Sequence, residues 1–164
     1  MLMLRTLPFA LLAFASLAAH ADGFVEQASV ASQAEIQASQ QALQGTLADD
    51  SRHFARRLNE DHFALLQQLR ALATQLAIAL PDEATLAERA SQAQPQPQPV
   101  EGLSADAAFA TAQIAAHQQA VRLFSQEAQA TDAPAALKAF AGQHLPLLQR
   151  HLQMAQRLLK THKK

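Results

Sequence analysis

The sequence predicts an all-α protein, a four-helix bundle with one long crossover between its second and third helices. Ala, Gln and Leu dominate the chain beyond residue 21, and these are good helix formers, whereas β-branched residues are sparse. Apolar residues recur at helical spacing over four long segments, so each segment carries one apolar face. Glycine and proline fall at a few places that mark segment ends. Four such faces bury one another best in a bundle.

The first 21 residues predict a signal peptide. "MLMLR" is a short positive start, "TLPFALLAFASLAA" is an apolar run, and "AHA" is a small-residue cleavage site that ends at Ala21. The run is shorter than the roughly 20 residues that cross a bilayer, and no second such run follows. We therefore expect residues 22–164 to form a periplasmic or secreted domain without a transmembrane span. An uncleaved signal anchor is the alternative.

Composition excludes several classes of function. The chain has no cysteine, which removes disulfides, thiolate nucleophiles, Cys-type zinc sites and iron–sulfur clusters. Without Arg5, the predicted mature domain has 12 basic and 14 acidic residues, a formal charge of −2. No basic face is evident, and Trp and Tyr are absent, so the sequence predicts no nucleic-acid partner. The composition leaves both self-association and a protein partner open.

Local signals predict where the helices begin and end. Gly45 follows the first helix and Pro81 the second, while Ser104 is a plausible cap for the third. Asp132 can cap the fourth, with Pro134 in its first turn. The predicted helices cover about 24–45, 49–80, 104–130 and 134–161.

A crossover joins the second and third helices. Its first half, "PDEATLAERASQA", could form a short helix. "QPQPQP" cannot continue one, because proline lacks the amide proton that a helix needs. Residues 94–103 therefore read as a semi-rigid extended linker.

Polar residues interrupt the apolar faces. At about 100° per residue, Glu35, His62, His117, His144 and His151 all face inward. Asp61 lies at the edge of its face. If the helices alternate in direction, a rise of about 1.5 Å per residue places these groups within one or two turns of a common level.

One carboxylate and several imidazoles suit Zn²⁺, Cu²⁺, Ni²⁺ or Fe²⁺. We therefore predict a metal site of Glu35, His62, His117 and His151, with His144 and Asp61 as additional candidates. A satisfied polar layer without metal is the alternative. A ferritin-type di-iron centre is disfavoured, because no Glu-x-x-His pair occurs.

Pro146 bears on His144. Proline cannot donate to the carbonyl of Gly142, so a kink is expected there. The freed carbonyl lies close to His144, and local hydrogen bonding could explain that histidine without a ligand. His151 has no such explanation and is the stronger candidate.

Four phrases together resemble one bacterial family, domain of unknown function 4142. They are "GFVEQASVASQAEIQASQQAL", "FARRLNEDHFALLQQLRALA", "FATAQIAAHQQAVRLFSQEA" and "PAALKAFAGQHLPLLQRHLQMAQRL". The resemblance implies an exported, ferritin-like up-down bundle. It also implies functional positions at Glu35, His62, His117 and His151, whereas His144 is outside the family pattern. The family usually has an acidic residue just before the third-helix histidine, where this chain has Ala116.

The family's activity is unknown, so the resemblance implies a fold and not a reaction. Members are often labelled outer-membrane proteins, a label that the lack of a second apolar span does not favour here. The favoured interpretation is a non-enzymatic exported bundle that could bind a transition metal, acting in envelope stress or metal handling. The alternatives are a metal-dependent oxidoreductase or hydrolase, a bundle that binds b-type haem, and a structural bundle that associates through exposed Phe63, Phe109 or Leu123.

Overall fold

A computed structural model describes the backbone of residues 11–94 and 102–163, and the side chains of residues 23–94 and 102–163. Over these ranges the protein is all-α, as predicted, and no strand occurs. The helices are α1 (Leu11–Gln44), α2 (Asp49–Gln75), α3 (Glu83–Ala93), α4 (Ala105–Gln129) and α5 (Ala135–His162).

Helix α1 is longer than the segment that the apolar pattern predicts. It begins at Leu11 and so continues into the predicted signal peptide, whose cleavage stays a prediction. It ends at Gln44, where the amide of Gly45 donates to the carbonyl of Ala42. The turn expected at Gly45 is therefore confirmed. None of the helices in the described ranges is long and apolar enough to cross a membrane.

Helix α2 ends at Gln75 and not at residue 80, so the predicted boundary is wrong. Ala77 adopts the left-handed conformation with φ of 56°. Its amide donates to the carbonyl of Thr74, and the amide of Ile78 donates to the carbonyl of Ala73. This is the Schellman arrangement, which stops a helix by turning the chain back onto its last turn. Residues 78–80 then leave the helix axis, and Ile78 packs on the core.

Helix α3 is the short helix of the crossover. The side chain of Asp82 caps it by accepting from the amide of Thr85 at 2.8 Å. Leu86 packs into a small apolar cluster with Ile36 of α1 and Leu66 of α2. The rest of the predicted linker, residues 95–101, lies outside the described residues.

The crossover determines the direction of α4. Arg89 of α3 pairs with Glu26, and Gln94 donates to the carbonyl of Ala34, so α3 runs parallel to α1. The chain thus returns to the end of the bundle where α2 begins. There Asp106 accepts from the amide of Ala48 at 3.0 Å. Alternation therefore holds within the hairpins α1/α2 and α4/α5, whereas α2 and α4 run in the same direction.

Of the two caps predicted for α4 and α5, one is confirmed and one is wrong. Ser104 accepts from the amide of Ala107 at 3.1 Å, which confirms the predicted cap of α4. The predicted Asp132 cap of α5 is wrong. Pro134 occupies the cap position itself, and its carbonyl accepts from Leu137 and Lys138. Pro146 lies within α5 and does not end the helix.

The core consists of two main apolar clusters at different heights. The larger one surrounds the paired rings of Phe24 and Phe124, whose centroids are 5.2 Å apart. The smaller one surrounds Phe54 and Leu58, close to the turn between α1 and α2. Of the candidate association residues, Phe109 and Leu123 pack against these clusters and only Phe63 is exposed, at 55%.

Candidate metal centre

Three histidines come from the middle of three different helices. His62 lies thirteen residues after the start of α2, and His117 lies twelve residues after the start of α4. These two helices begin at the same end of the bundle, so the two side chains reach the same level. His151 lies eleven residues before the end of α5, which returns to that same end: Ser104 donates to the carbonyl of His162. The three histidines therefore lie at the same height in the bundle, because each is a similar number of residues away from the same end.

The three rings form a compact cluster. His62, His117 and His151 each offer one ring nitrogen, and these three atoms all lie within 4.8 Å of one another. The ring centroids are 5.2 to 5.5 Å apart. The exposed fractions of the residues are 3%, 0% and 1%. Among the histidine, aspartate and glutamate side chains of the described residues, these three lie close enough together to hold one metal ion.

A main-chain carbonyl fixes the orientation of His117. Its Nδ1 lies 3.0 Å from the carbonyl oxygen of Gln113, one turn earlier in α4. A carbonyl can only accept, so Nδ1 carries the proton and donates. Nε2 of a neutral His117 is then left with a free lone pair. Nε2 of His62 lies 3.3 Å from it and must be the donor of that contact.

A carboxylate fixes the orientation of His151. Its Nε2 lies 2.9 Å from Oδ2 of Asp61. The same oxygen accepts from Nε of Arg57 at 2.8 Å, across an exposed i,i+4 pair on α2. Asp61 therefore contacts His151 from the outer side, and it is not a member of the three-nitrogen group.

Two ring nitrogens in the cluster lack hydrogen-bond partners. Nδ1 of His62 and Nδ1 of His151 are both buried and unpaired within the described part of the chain. Buried polar atoms normally have a partner, and leaving one without costs about 1–3 kcal/mol. The cluster is therefore not a fully satisfied polar layer.

Burial keeps all three rings neutral at pH 7. It lowers the pKa of His117 to about 4, with a further contribution from nearby His151. Burial also places the pKa of His62 well below its ordinary value, and the neighbouring rings add to this. The pKa of His151 is lowered by burial, although Asp61 opposes the shift. Neutral imidazole is the form that binds metals, so all three rings have the charge state that coordination requires.

Glu35 of α1 is buried and contacts Gln113 of α4. Burial raises the pKa of its carboxyl group to about 7, although a hydrogen bond from the side chain of Gln113 opposes the shift. Its Oε2 has no hydrogen-bond partner among the described residues. The structure thus places Glu35 against Gln113, and it is not a member of the three-histidine group.

His144 lies two turns before His151, outside the cluster. Its ring packs on Phe140 with centroids 4.4 Å apart. The sequence suggested a hydrogen bond between His144 and a carbonyl near Gly142. Nε2 of His144 does not form it, because this atom has no partner among the described residues. Its surroundings are those of a core residue.

Sequence reasoning missed Gln113. It is 2% exposed and connects Glu35 with His117, because its side chain contacts Glu35 and its main-chain carbonyl accepts from His117. The available signal was its position four residues before His117, on the same face of α4. A glutamine in an alanine- and glutamine-rich helix does not stand out by type.

The fold and the site define this protein as an all-α helical bundle with a buried trihistidine cluster at mid-height. The chain belongs to the family described as domain of unknown function (DUF4142), whose model matches residues 9–158. Neither a curated protein nor a solved structure matches the chain.

Proposed function

We propose that the protein binds one transition-metal ion between His62, His117 and His151. The observation that carries this proposal is the meeting of one ring nitrogen from each of three helices within 4.8 Å. Three neutral nitrogen donors at this spacing form a set that imidazole-binding metals accept.

The chemistry of the donor set limits the class of metal. Imidazole nitrogen suits Zn²⁺, Cu²⁺, Ni²⁺ and Fe²⁺, whereas Mg²⁺ and Ca²⁺ require oxygen ligands. Glu35 of α1 is a buried carboxyl group that could complete the coordination, since its side chain contacts Gln113, whose carbonyl accepts from His117. A bound ion would supply Lewis acidity at this position.

The unpaired nitrogens favour a ligand over a polar layer that is complete by itself. A closed hydrogen-bond network would give each buried ring nitrogen a partner. Nδ1 of His62 and Nδ1 of His151 have none among the described residues. A metal ion could bind the lone pair of such a nitrogen, which no hydrogen-bond donor of the described residues contacts.

The burial of the cluster favours a binding role over catalysis. The three histidine residues are only 0–3% exposed, which gives a substrate no open approach from solvent. The rings also contact one another directly, so a porphyrin between two of them would require the helices to separate. With the predicted signal peptide, we propose metal handling or metal-dependent stabilisation in the periplasm or outside the cell.

Elemental analysis of protein purified without a polyhistidine tag tests the proposal. We expect about one transition-metal ion per chain, lost in His117→Ala and in His151→Ala. At a free metal concentration 100 times the Kd, binding should stabilise the parent by about 2.7 kcal/mol. His53→Ala removes an exposed histidine of α2 and is the matched control. Unchanged metal affinity in both cluster variants would rule out this site.

A further inference from the structure

We propose that Asp61 and the main-chain carbonyl of Gln113 are positioning groups that select the metal-binding atoms, Nδ1 of His151 and Nε2 of His117. This inference rests on the proposed function and assigns the coordinating nitrogens of that site. It also changes the expected role of Asp61 from ligand to positioning residue.

The argument for His151 starts from its two ring nitrogens. Nε2 lies 2.9 Å from Oδ2 of Asp61, and a carboxylate accepts but does not donate. The proton of neutral His151 therefore sits on Nε2. Nδ1 keeps the lone pair, and this is the nitrogen that is buried without a partner. Only Nδ1 is free to bind an ion.

The same argument gives the opposite nitrogen for His117. Its Nδ1 donates to the carbonyl of Gln113 at 3.0 Å, so Nε2 keeps the lone pair. Nε2 already lies 3.3 Å from Nε2 of His62, which places it on the cluster side of the ring. Two protein acceptors thus hold two neighbouring histidines in opposite tautomers.

Arg57 explains why Asp61 stays on the outer side. Oδ2 of Asp61 accepts from both Arg57 and His151, at 2.8 Å and 2.9 Å. The two donors approach the same carboxylate oxygen, so this oxygen is held between the guanidinium of Arg57 and the outer edge of the His151 ring. A charged acceptor orients the ring and increases the basicity of its free nitrogen. Losing such a partner typically weakens metal binding 10–100-fold.

The first test measures tautomers in metal-free protein. Nitrogen-15 NMR at pH 7, with signals assigned through histidine variants, should place the proton of His151 on Nε2 and that of His117 on Nδ1. A proton on Nδ1 of His151 would overturn the inference. Because no metal is present, this result does not depend on the proposed function.

The second test measures zinc affinity in variants. Asp61→Ala should weaken zinc binding 10–100-fold and give His151 a mixture of tautomers. Asp61→Asn keeps an oxygen that can accept from Nε2, so it should retain the tautomer and most of the affinity. Asp50→Ala is the matched control, because Asp50 accepts from Nε2 of His162 outside the cluster. Parent-like affinity in Asp61→Ala would refute the inference, whereas a parent protein that binds none of Zn²⁺, Cu²⁺, Ni²⁺ and Fe²⁺ refutes the proposed function itself.

Discussion

Replacing Glu35 with glutamine should make the metal-free bundle more stable at alkaline pH and leave it nearly unchanged at acidic pH. The carboxyl group is buried, and burial raises its pKa from 4.5 to about 7. Between these two values the unfolded chain has lost its proton while the folded chain still holds it. Stability from this group is therefore fully present below pH 4.5 and is lost as the pH rises through about 7.

The size of the effect follows from the same shift. Each pKa unit corresponds to about 1.4 kcal/mol, so the full penalty of ionising Glu35 in the folded state is about 3 kcal/mol. Glutamine has no charge to bury, and its amide can pair with the side chain of Gln113, whose Oε1 has no partner. The stability advantage of Glu35→Gln should grow by about 2–3 kcal/mol between pH 5 and pH 8.5.

Urea unfolding followed by circular dichroism, with a chelator present, measures this difference. All other ionisable groups are the same in both proteins, so their contribution cancels when the variant is compared with the parent at each pH. Glu60→Gln, the same substitution at an exposed position of α2, is the matched control. If the stability profiles of Glu35→Gln and the parent run parallel across this range, the carboxyl group is not buried at a cost, and the reasoning fails.

Two further predictions concern the fold. Ala77→Gly should stabilise the protein by about 1 kcal/mol, because Ala77 has φ of 56° and glycine adopts this conformation without the clash of a Cβ atom; urea titration of the variant, with Ala79→Gly as control, checks it. Acidification of metal-free Glu35→Gln protein, in which the carboxyl group no longer opposes the effect, below the ordinary histidine pKa of 6.5 should be destabilising, because burial lowers the pKa values of His62, His117 and His151, and the unfolded chain takes up protons first. The loss of unfolding free energy, measured by urea titration, should be smaller when His117→Gln is added to the same protein. An equal loss would contradict the lowered pKa of His117.

The helices were predictable because each has a strong apolar period, but two boundaries were not. The end of α2 depends on a left-handed alanine, whereas the usual sequence signal for such a stop is glycine. The predicted Asp132 cap failed because Pro134 already occupies the cap position. The parallel course of α2 and α4 depends on how the crossover packs on α1, which helical periodicity does not describe.

The site was also predictable in part. Helical faces identified His62, His117 and His151, because a position on a face decides which side chains point inward. Faces do not decide which inward groups come within ligand distance. Glu35 faces inward as expected but contacts Gln113, and Asp61 reaches His151 from outside. Those distances depend on side-chain conformation and on the exact separation of the helices.

The polar layer divides the apolar core, and this division has a consequence for packing. The cluster around Phe24 and Phe124 lies on one side of the layer, and the cluster around Phe54 and Leu58 on the other. Sliding one hairpin past the other by a turn would bring imidazoles against leucines. Each buried polar group left unpaired would cost about 1–3 kcal/mol. The layer therefore fixes the register of the two hairpins, a role that buried polar groups have in other helical assemblies.

Register alone does not account for the composition of this layer. A layer that only fixes register is best built from groups that satisfy one another, because every unpaired atom lowers the stability it is meant to protect. Here two of the three rings are held by hydrogen bonds from outside, His151 by Asp61 and His117 by the carbonyl of Gln113. The unpaired atoms include Nδ1 of His62 and of His151, within the cluster itself. Two rings that are oriented from outside, together with buried ring nitrogens that have no partner, form the arrangement that a metal ion requires, and for this reason we favour a ligand over a purely structural layer.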